Sequence, residues 1–208
     1  MQAKIARAKK KQTRPIIVEL GNAGLALQGE KPNTGVWANI EKPAERTKKH
    51  ARKMPNAIII GIDLRRIEKP LPKNVKQKTA DLLEGLQQLK NSSVSRIESY
   101  MSIGYYGMNG MTTEPGIRGR NERIQKIKQY TKKLLDTAYE KLLASGKLII
   151  VAGKDAILHT LTTLEQTKFD QTKIKCIELK PSKKRGTYWT RRPIRGETRP
   201  RYKIIAKK

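Results

Sequence analysis

An α/β fold with a mainly parallel sheet is predicted by three features of the sequence. Two short apolar runs, residues 16–20 and 58–62, each lead into an acidic or glycine-rich turn, as strands buried on both faces of a sheet do. Such runs alternate with helical patterns along the chain, which favours β–α–β units. Two late strands follow one another with no evident helix between them, and they predict an antiparallel end to the sheet.

Seven strands are expected in all. Each is a short run of apolar or alternating residues between turn-forming positions. The expected strands cover residues 16–20, 58–62, 75–80, 94–101, 147–153, 174–179 and 202–206.

Three helices are expected between these strands. The first spans residues 41–53 and has Pro43 in its first turn, where proline is tolerated. The second spans residues 121–144, has apolar residues at helical spacing and is followed by Gly146 as a stop signal. The third is expected to begin with Asp155 as its N-cap and to end about eleven residues later.

The charge balance indicates a polyanionic partner. Lys plus Arg number 46 against 18 Asp plus Glu, so the formal net charge is +28 over 208 residues. Such an excess is informative about partners rather than about the fold. Nucleic acid is favoured over an anionic membrane surface, since no stretch approaches the roughly 18 apolar residues of a membrane helix.

The ends of the chain and its single cysteine bear on location. Residues 1–14 form a basic arm with six Lys or Arg and no acid, and they lack the apolar core of a secretory signal. Cys176 is the single cysteine, which excludes an internal disulfide and fits a reducing compartment. We expect a cytoplasmic protein, with the mitochondrial matrix as the alternative.

Acidic residues and small residues follow the first three predicted strands. Residues 19–24 place Glu19 at the end of the first strand and small residues in the turn after it, where a backbone can approach a ligand closely. Asp63 ends the second strand, where a carboxylate can accept hydrogen bonds from both ribose hydroxyls of an adenosine-type cofactor. Asp81 follows the third strand and is a candidate for the adenine amino group. Each acid has a helix cap as its alternative role.

In this order, the segments resemble the motifs of class I S-adenosylmethionine-dependent methyltransferases. Residues 19–24 resemble the first motif of the family, residues 61–64 the second and residues 80–82 the third. Residues 90–101 resemble the fourth strand, and residues 142–150 resemble the segment that leads into the fifth.

The resemblance covers about residues 15–206 and implies a Rossmann-like methyltransferase fold. The implied sheet has seven strands, mainly parallel, with an antiparallel closing strand. The domain would span residues 15–208, behind the arm at 1–14. S-adenosylmethionine is the implied cofactor, and no metal is implied. The residues that the resemblance assigns to the cofactor are Glu19, Gly21, Asn22, Ala23, Gly24, Asp63, Leu64, Asp81, Leu82 and Ser99.

The chain departs from the family pattern at the first motif and at the fourth strand. Ala23 and Leu25 stand where the first motif usually has glycines, and an insertion at residues 25–40 lies beside the cofactor position. The fourth strand lacks the acceptor-binding patterns of amino-group and tRNA guanine-N7 methyltransferases. No catalytic residue is therefore assigned. The resemblance places Tyr100, Tyr105 and Tyr106 where a methyl acceptor would enter, with core packing expected for at least one of them. His50 has no ligand-type spacing to another histidine, and a structural or exposed role is expected for it.

A basic loop at residues 180–201 and the basic arm are the predicted RNA-binding segments. Arginine forks can grip phosphates, and an aromatic ring among them can stack on an unpaired base. A solvated charged surface is the alternative role for both segments. The candidate RNA-binding residues are Lys9, Lys10, Lys11, Arg14, Lys183, Lys184, Arg185, Trp189, Arg191, Arg192 and Arg195.

Two functions from different classes fit these features. The first is an S-adenosylmethionine-dependent methyltransferase acting on tRNA or rRNA, which would work by positioning the sulfonium methyl group in line with its acceptor. The second is a noncatalytic RNA-binding protein of the same fold, a structural component of a ribosome or a similar ribonucleoprotein. The first is the leading expectation. The altered glycine motif, the missing acceptor pattern and a charge of ribosomal-protein magnitude motivate the second.

Overall fold

The computed structural model describes residues 14–21, 45–64, 66–67, 70–100, 120–179 and 201–208. The strands are β1 (Ile16–Leu20), β2 (Ile58–Asp63), β3 (Val75–Thr79), β4 (Val94–Tyr100), β5 (Leu142–Gly153), β6 (Ile174–Leu179) and β7 (Arg201–Lys207). The helices are α1 (Glu45–Lys53), α2 (Leu82–Gln87), α3 (Arg120–Lys141) and α4 (Lys154–Leu164), and a short 3₁₀ turn, Gln171–Lys173, precedes β6. None of the described helices is long and apolar enough to span a bilayer.

The seven strands form a single mixed sheet in the order β3-β2-β1-β4-β5-β7-β6. The pairs from β3 to β5 are parallel, and β7 runs antiparallel to both β5 and β6. The predicted seven-stranded sheet with an antiparallel end is thereby confirmed. The chain moves outward from β1 to β3 and then returns to the other side of β1 with β4. Ligands of open α/β sheets bind at such a reversal, outside the carboxyl ends of the strands.

Alternating side chains of the strands divide the interior into two layers. On one face, Val18 and Leu20 of β1 lie in the main core with α2, α3 and α4. On the other face, Ile17 and Ile59 pack against Ala51 of α1 in a smaller cluster. Residues two apart on a strand share a face, so Glu19 shares the α1 face with Ile17.

The long helix ends earlier than the sequence predicts. α3 ends at Lys141 instead of residue 144, and Leu142 already pairs with Val94 as part of a longer β5. The backbone N–H groups of Ser92 and Ser93 donate to the carbonyls of Glu140 and Lys141. The carbonyls at the end of the helix thus find their donors in a segment that is distant in sequence. The local sequence around residue 141 does not reveal these donors.

Gly146 therefore does not stop the helix but lies buried within β5. Added to Gly146, a Cβ atom would lie 2.9 Å from the Leu143 carbonyl oxygen. The register between β4 and β5 shifts here, since Val94 opposes Leu142 while Arg96 opposes Lys147. The glycine makes room for this irregularity in the strand.

Two further helix predictions need correction. Asp155 is not an N-cap, because α4 begins at Lys154 after Gly153, with no capping hydrogen bond from a side chain. A helix also forms where none is predicted: α2, of six residues, is capped by Asp81. The other described bounds agree within two residues, whereas residues 41–44 and Met101 lie outside the described part of the chain.

Candidate functional site

The turn after β1 has the backbone geometry that its glycine allows. Gly21 has a φ of 69°, in the left-handed region that glycine adopts without penalty. Its N–H donates to the carbonyl of Ile62 at 2.8 Å, which joins the ends of β1 and β2. Asn22, Ala23 and Gly24 follow directly and lie outside the described residues.

Asp63 ends β2 at the same edge of the sheet and is only 6% exposed. Its carbonyl accepts a hydrogen bond from the N–H of Ala80 at 3.0 Å, so the ends of β2 and β3 are also joined. The neighbouring Leu64 is 58% exposed. Cofactor contacts by Asp63 and Leu64 stay predictions.

Asp81, at the end of β3, has its carboxylate engaged within the protein. Oδ1 accepts the N–H of Leu83 at 2.8 Å, and the Tyr130 hydroxyl lies 2.9 Å from each carboxylate oxygen. Asp81 therefore has the helix-cap role that the sequence left open as its alternative. Leu82 is fully buried in the core. Cofactor roles for Asp81 and Leu82 stay predictions.

Ser99 lies buried in the fourth strand beside the first. It pairs with Leu20 of β1 and with Ile150 of β5, and its exposed fraction is zero. The structure thus brings together, at the carboxyl ends of four adjacent strands, Gly21, Asp63, Asp81 and Ser99.

Glu19 faces α1 beneath this edge and is completely buried. The Thr47 hydroxyl donates to its Oε2, and His50 Nδ1 lies 2.5 Å from its Oε1. Burial by itself raises the pKa of the Glu19 carboxyl. The hydrogen bond from His50, the Arg46 charge and the Thr47 hydroxyl outweigh that effect, and the pKa lies below its usual value. A direct cofactor contact by Glu19 stays a prediction, while its observed partners belong to α1.

A second buried carboxylate, Glu98 of β4, lies beside Glu19. Arg96 Nε is 2.8 Å from Glu98 Oε1, and Arg46 Nη2 is 3.8 Å from Glu98 Oε2. The Arg46 guanidinium carbon also lies 3.3 Å above the Tyr100 ring centre. Burial, together with the Glu98 charge, raises the pKa of the Tyr100 hydroxyl. The phenol is therefore neutral near pH 7.

Among the described residues, this cluster also contains a set of metal-type ligands. Glu19, His50 and Glu98 present atoms that all lie within 4.8 Å of one another. The guanidinium groups of Arg46 and Arg96 balance the two carboxylate charges. The cluster is therefore electrically matched without an ion, and a metal would meet repulsion from two arginines.

His50 is the main residue of this cluster that sequence reasoning did not place. The sequence feature that indicates an inward-facing His50 is its position three residues after Thr47, which puts both residues on one face of α1. That spacing shows which residues share a face of α1. It does not show which strand lies opposite, and the partners of His50 depend on that strand.

The predicted RNA-binding residues lie almost entirely outside the described part of the chain. Arg14, just before β1, is described and exposed. The outside group comprises Lys9, Lys10, Lys11, Lys183, Lys184, Arg185, Trp189, Arg191, Arg192 and Arg195.

Comparisons with known proteins identify the fold. No protein-family model matches the chain, and no curated protein matches it. A methyltransferase from Archaeoglobus fulgidus that depends on S-adenosylmethionine superimposes with a TM-score of 0.52 and 14% identity, over 93% of this chain and 86% of that one. An S-adenosylmethionine-dependent O-methyltransferase from Thermotoga maritima gives a TM-score of 0.50 and 15% identity, over 94% of this chain and 59% of that one. With its strand order, the chain has the Rossmann-like fold of class I S-adenosylmethionine-dependent methyltransferases.

Proposed function

We propose that this protein is an S-adenosylmethionine-dependent RNA methyltransferase with tRNA or rRNA as its substrate. The observation that carries the proposal is the hydrogen bond from Gly21 to Ile62, the residue before Asp63, which joins the ends of β1 and β2 beside the reversal of strand order. A left-handed glycine turn lets the backbone approach a ligand, and the buried carboxylate suits a ribose diol.

In this proposal, bound S-adenosylmethionine supplies an electrophilic methyl group on a positively charged sulfur. Asp63 would hold the ribose hydroxyls, and the exposed Leu64 would pack beside the adenine ring. The residues around Tyr100 would position the acceptor atom of the RNA, since β4 ends next to β1 at the same edge. The rate gain would come from alignment, which by itself can supply several orders of magnitude.

The charge of the chain supports RNA as the substrate. A net charge of +28 would repel a cationic substrate and attract a phosphate backbone. Fold likeness at these identities does not select among methyl acceptors, so the RNA assignment depends on this charge.

A noncatalytic RNA-binding protein is the second candidate. Two acids that the sequence assigned to the cofactor already have protein partners: Glu19 bonds Thr47 and His50, and Asp81 caps α2 and contacts Tyr130. Such engagement is expected where a cofactor site has been converted to structural use.

Calorimetry with S-adenosylmethionine and its demethylated product separates the two candidates. The enzyme proposal expects saturable binding of both compounds and transfer of labelled methyl groups into cellular RNA. Undetectable binding at millimolar cofactor, with RNA binding retained, would establish the noncatalytic alternative. Cofactor binding with no methylation of RNA, but with methylation of another acceptor class, would contradict the substrate assignment.

A further inference from the structure

The described surface has an uneven distribution of charge. Within residues 14–79, the two carboxylates whose side chains are described, Glu19 and Asp63, are both buried. The exposed carboxylates of the described chain come later, from α2 onward. They are Glu84, Glu140, Glu165, Asp170 and Glu178. Among the described side chains of residues 14–79, the exposed charges are therefore all cationic.

Helix α1 has two contrasting faces. Thr47 and Ala51 are buried against the sheet. Lys49, Arg52 and Lys53 are exposed. Arg52 and Lys53 lie three and four residues after Lys49, so both are neighbours of Lys49 on the helix surface. We call these three residues the α1 basic face.

Both ends of α1 are fixed to the rest of the domain. In the first turn, Arg46 stacks over Tyr100, and further along the helix His50 lies 2.5 Å from Glu19. After the last turn, the Asn74 side-chain amide donates to the carbonyls of Ala51, Met54 and Ala57 at 3.1 to 3.3 Å. The three cations are therefore displayed on an anchored helix rather than on a free tail.

We propose that the α1 basic face is a docking surface for the phosphate backbone of RNA. This inference rests on the proposed RNA substrate and adds a surface that is distinct from the arm and the loop 180–201. Charge complementarity carries it, because three neighbouring exposed cations on one helix match a run of phosphates. The first turn of the same helix contacts Tyr100 at the end of β4, so RNA lying along α1 would lead to the candidate site.

A membrane surface fits this face less well than RNA does. Helices that bind bilayers insert an apolar face among the lipids. The apolar side of α1 is already used, since Ala51 packs with Ile17 and Ile59 in the interior. Cations in the last turn also interact favourably with the helix dipole, and that effect requires no partner. The experiment must separate these contributions.

The test compares two triple variants with the same change in charge. The first is Lys49→Gln, Arg52→Gln and Lys53→Gln on the α1 basic face. The control is Lys128→Gln, Lys133→Gln and Lys154→Gln, at exposed positions on α3 and α4. Binding of the full chain to a labelled 20-base-pair RNA duplex is measured from 50 to 200 mM salt. Thermal melts verify that each variant is folded.

Each phosphate contact contributes about 0.9 to the salt slope on a duplex. The α1 triple variant should reduce the magnitude of the salt slope by about 2.7. Between 50 and 200 mM salt, its affinity for RNA should then fall about 40-fold less than the affinity of the wild type does. The control triple should change the slope by less than half as much. Equal effects of the two triples, or no effect of the α1 triple, would overturn the proposal.

Two more outcomes distinguish the possible failures. If the wild-type protein does not bind RNA, the proposed function itself is wrong. If the wild type binds RNA and the α1 triple binds it equally well, only the docking surface is wrong. If the α1 triple variant loses binding to phosphatidylserine vesicles but binds RNA as the wild type does, the face binds a membrane and the proposal is overturned.

Discussion

Glu19 of β1 and Glu98 of β4 are paired in register and lie side by side in the interior. Two neighbouring buried carboxylates repel each other unless cations compensate them. Here Arg46 and Arg96 supply the compensating charges, and the His50 ring bonds to Glu19. The two acids are not equivalent, because both oxygens of Glu19 are hydrogen-bonded whereas Oε2 of Glu98 has no hydrogen-bond partner.

Glu19→Gln should therefore destabilise the protein more than Glu98→Gln. Loss of the Glu19 charge leaves Arg46 poorly compensated and weakens the bonds to Thr47 and His50, at a cost of about 3 kcal/mol for a broken buried pair. Glu98→Gln loses the 2.8 Å contact with Arg96 Nε, but its Oε2 has no hydrogen bond to lose, and it should cost about 1 kcal/mol. Urea unfolding of both variants measures the difference. Equal losses would mean that the hydrogen bonds to Glu19 carry no special weight.

The lowered pKa of Glu19 predicts an acid-sensitive contribution to stability. A carboxyl whose pKa is lower in the folded state stabilises the protein above its unfolded pKa, here about 4.5, and loses that contribution as the pH falls through the folded value. The difference in unfolding free energy between wild type and Glu19→Gln should thus be largest near pH 7 and should decrease below about pH 4.5. A gap that stays constant down to pH 3 would contradict the assigned ionisation of Glu19.

Asp63→Asn should weaken S-adenosylmethionine binding in the proposed site. Loss of hydrogen bonds to a charged group costs about 1.5 to 3 kcal/mol, which calorimetry would report as a drop in affinity of one to two orders of magnitude. The matched control is Glu84→Gln on the exposed side of α2, which removes the same charge. Unchanged affinity in the Asp63 variant, with the fold intact, would exclude the ribose contact.

Gly85→Ala should destabilise the protein although it lies in a helix. Alanine is favoured over glycine in helices by about 1 kcal/mol. A Cβ at this position, however, would lie 2.4 Å from Cγ2 of Ile62, and overpacking of this kind typically costs about 1 to 3 kcal/mol. Gln87→Ala, exposed in the same helix, should stay within about 0.5 kcal/mol of wild type. A Gly85 variant as stable as wild type would show that Ile62 yields easily.

Two variants in the loop 180–201 should separate charge from stacking. Replacing Arg191, Arg192 and Arg195 with Ala should flatten the salt dependence of RNA binding by up to about 3, if all three contact phosphates. Trp189→Ala should weaken binding to single-stranded RNA by about 1 to 3 kcal/mol and leave the salt slope nearly unchanged. If neither variant changes affinity or slope, this loop is not an RNA-binding segment.

Local sequence patterns determined the strands well because burial marks them directly. Ile16–Leu20 and Ile174–Leu179 have the predicted bounds, since a short apolar or alternating run between turn residues has few other stable arrangements. Asp63 was also placed correctly, at the carboxyl end of β2, because a strand end needs only the strand to be recognised. The sequence also determined the excess of positive charge.

The tertiary structure alone decided which side chains meet. α3 ends at Lys141 because Ser92 and Ser93, some fifty residues earlier, donate to its last carbonyls. The strand order reverses at β1, so β4 pairs with the side of β1 that faces away from β2. His50 therefore contacts Glu19 of β1 and also lies near Glu98 of β4. Helical and strand periodicities report which residues share a face. Partners across faces depend on chain crossovers, which are fixed by packing of the whole domain and leave no local signal.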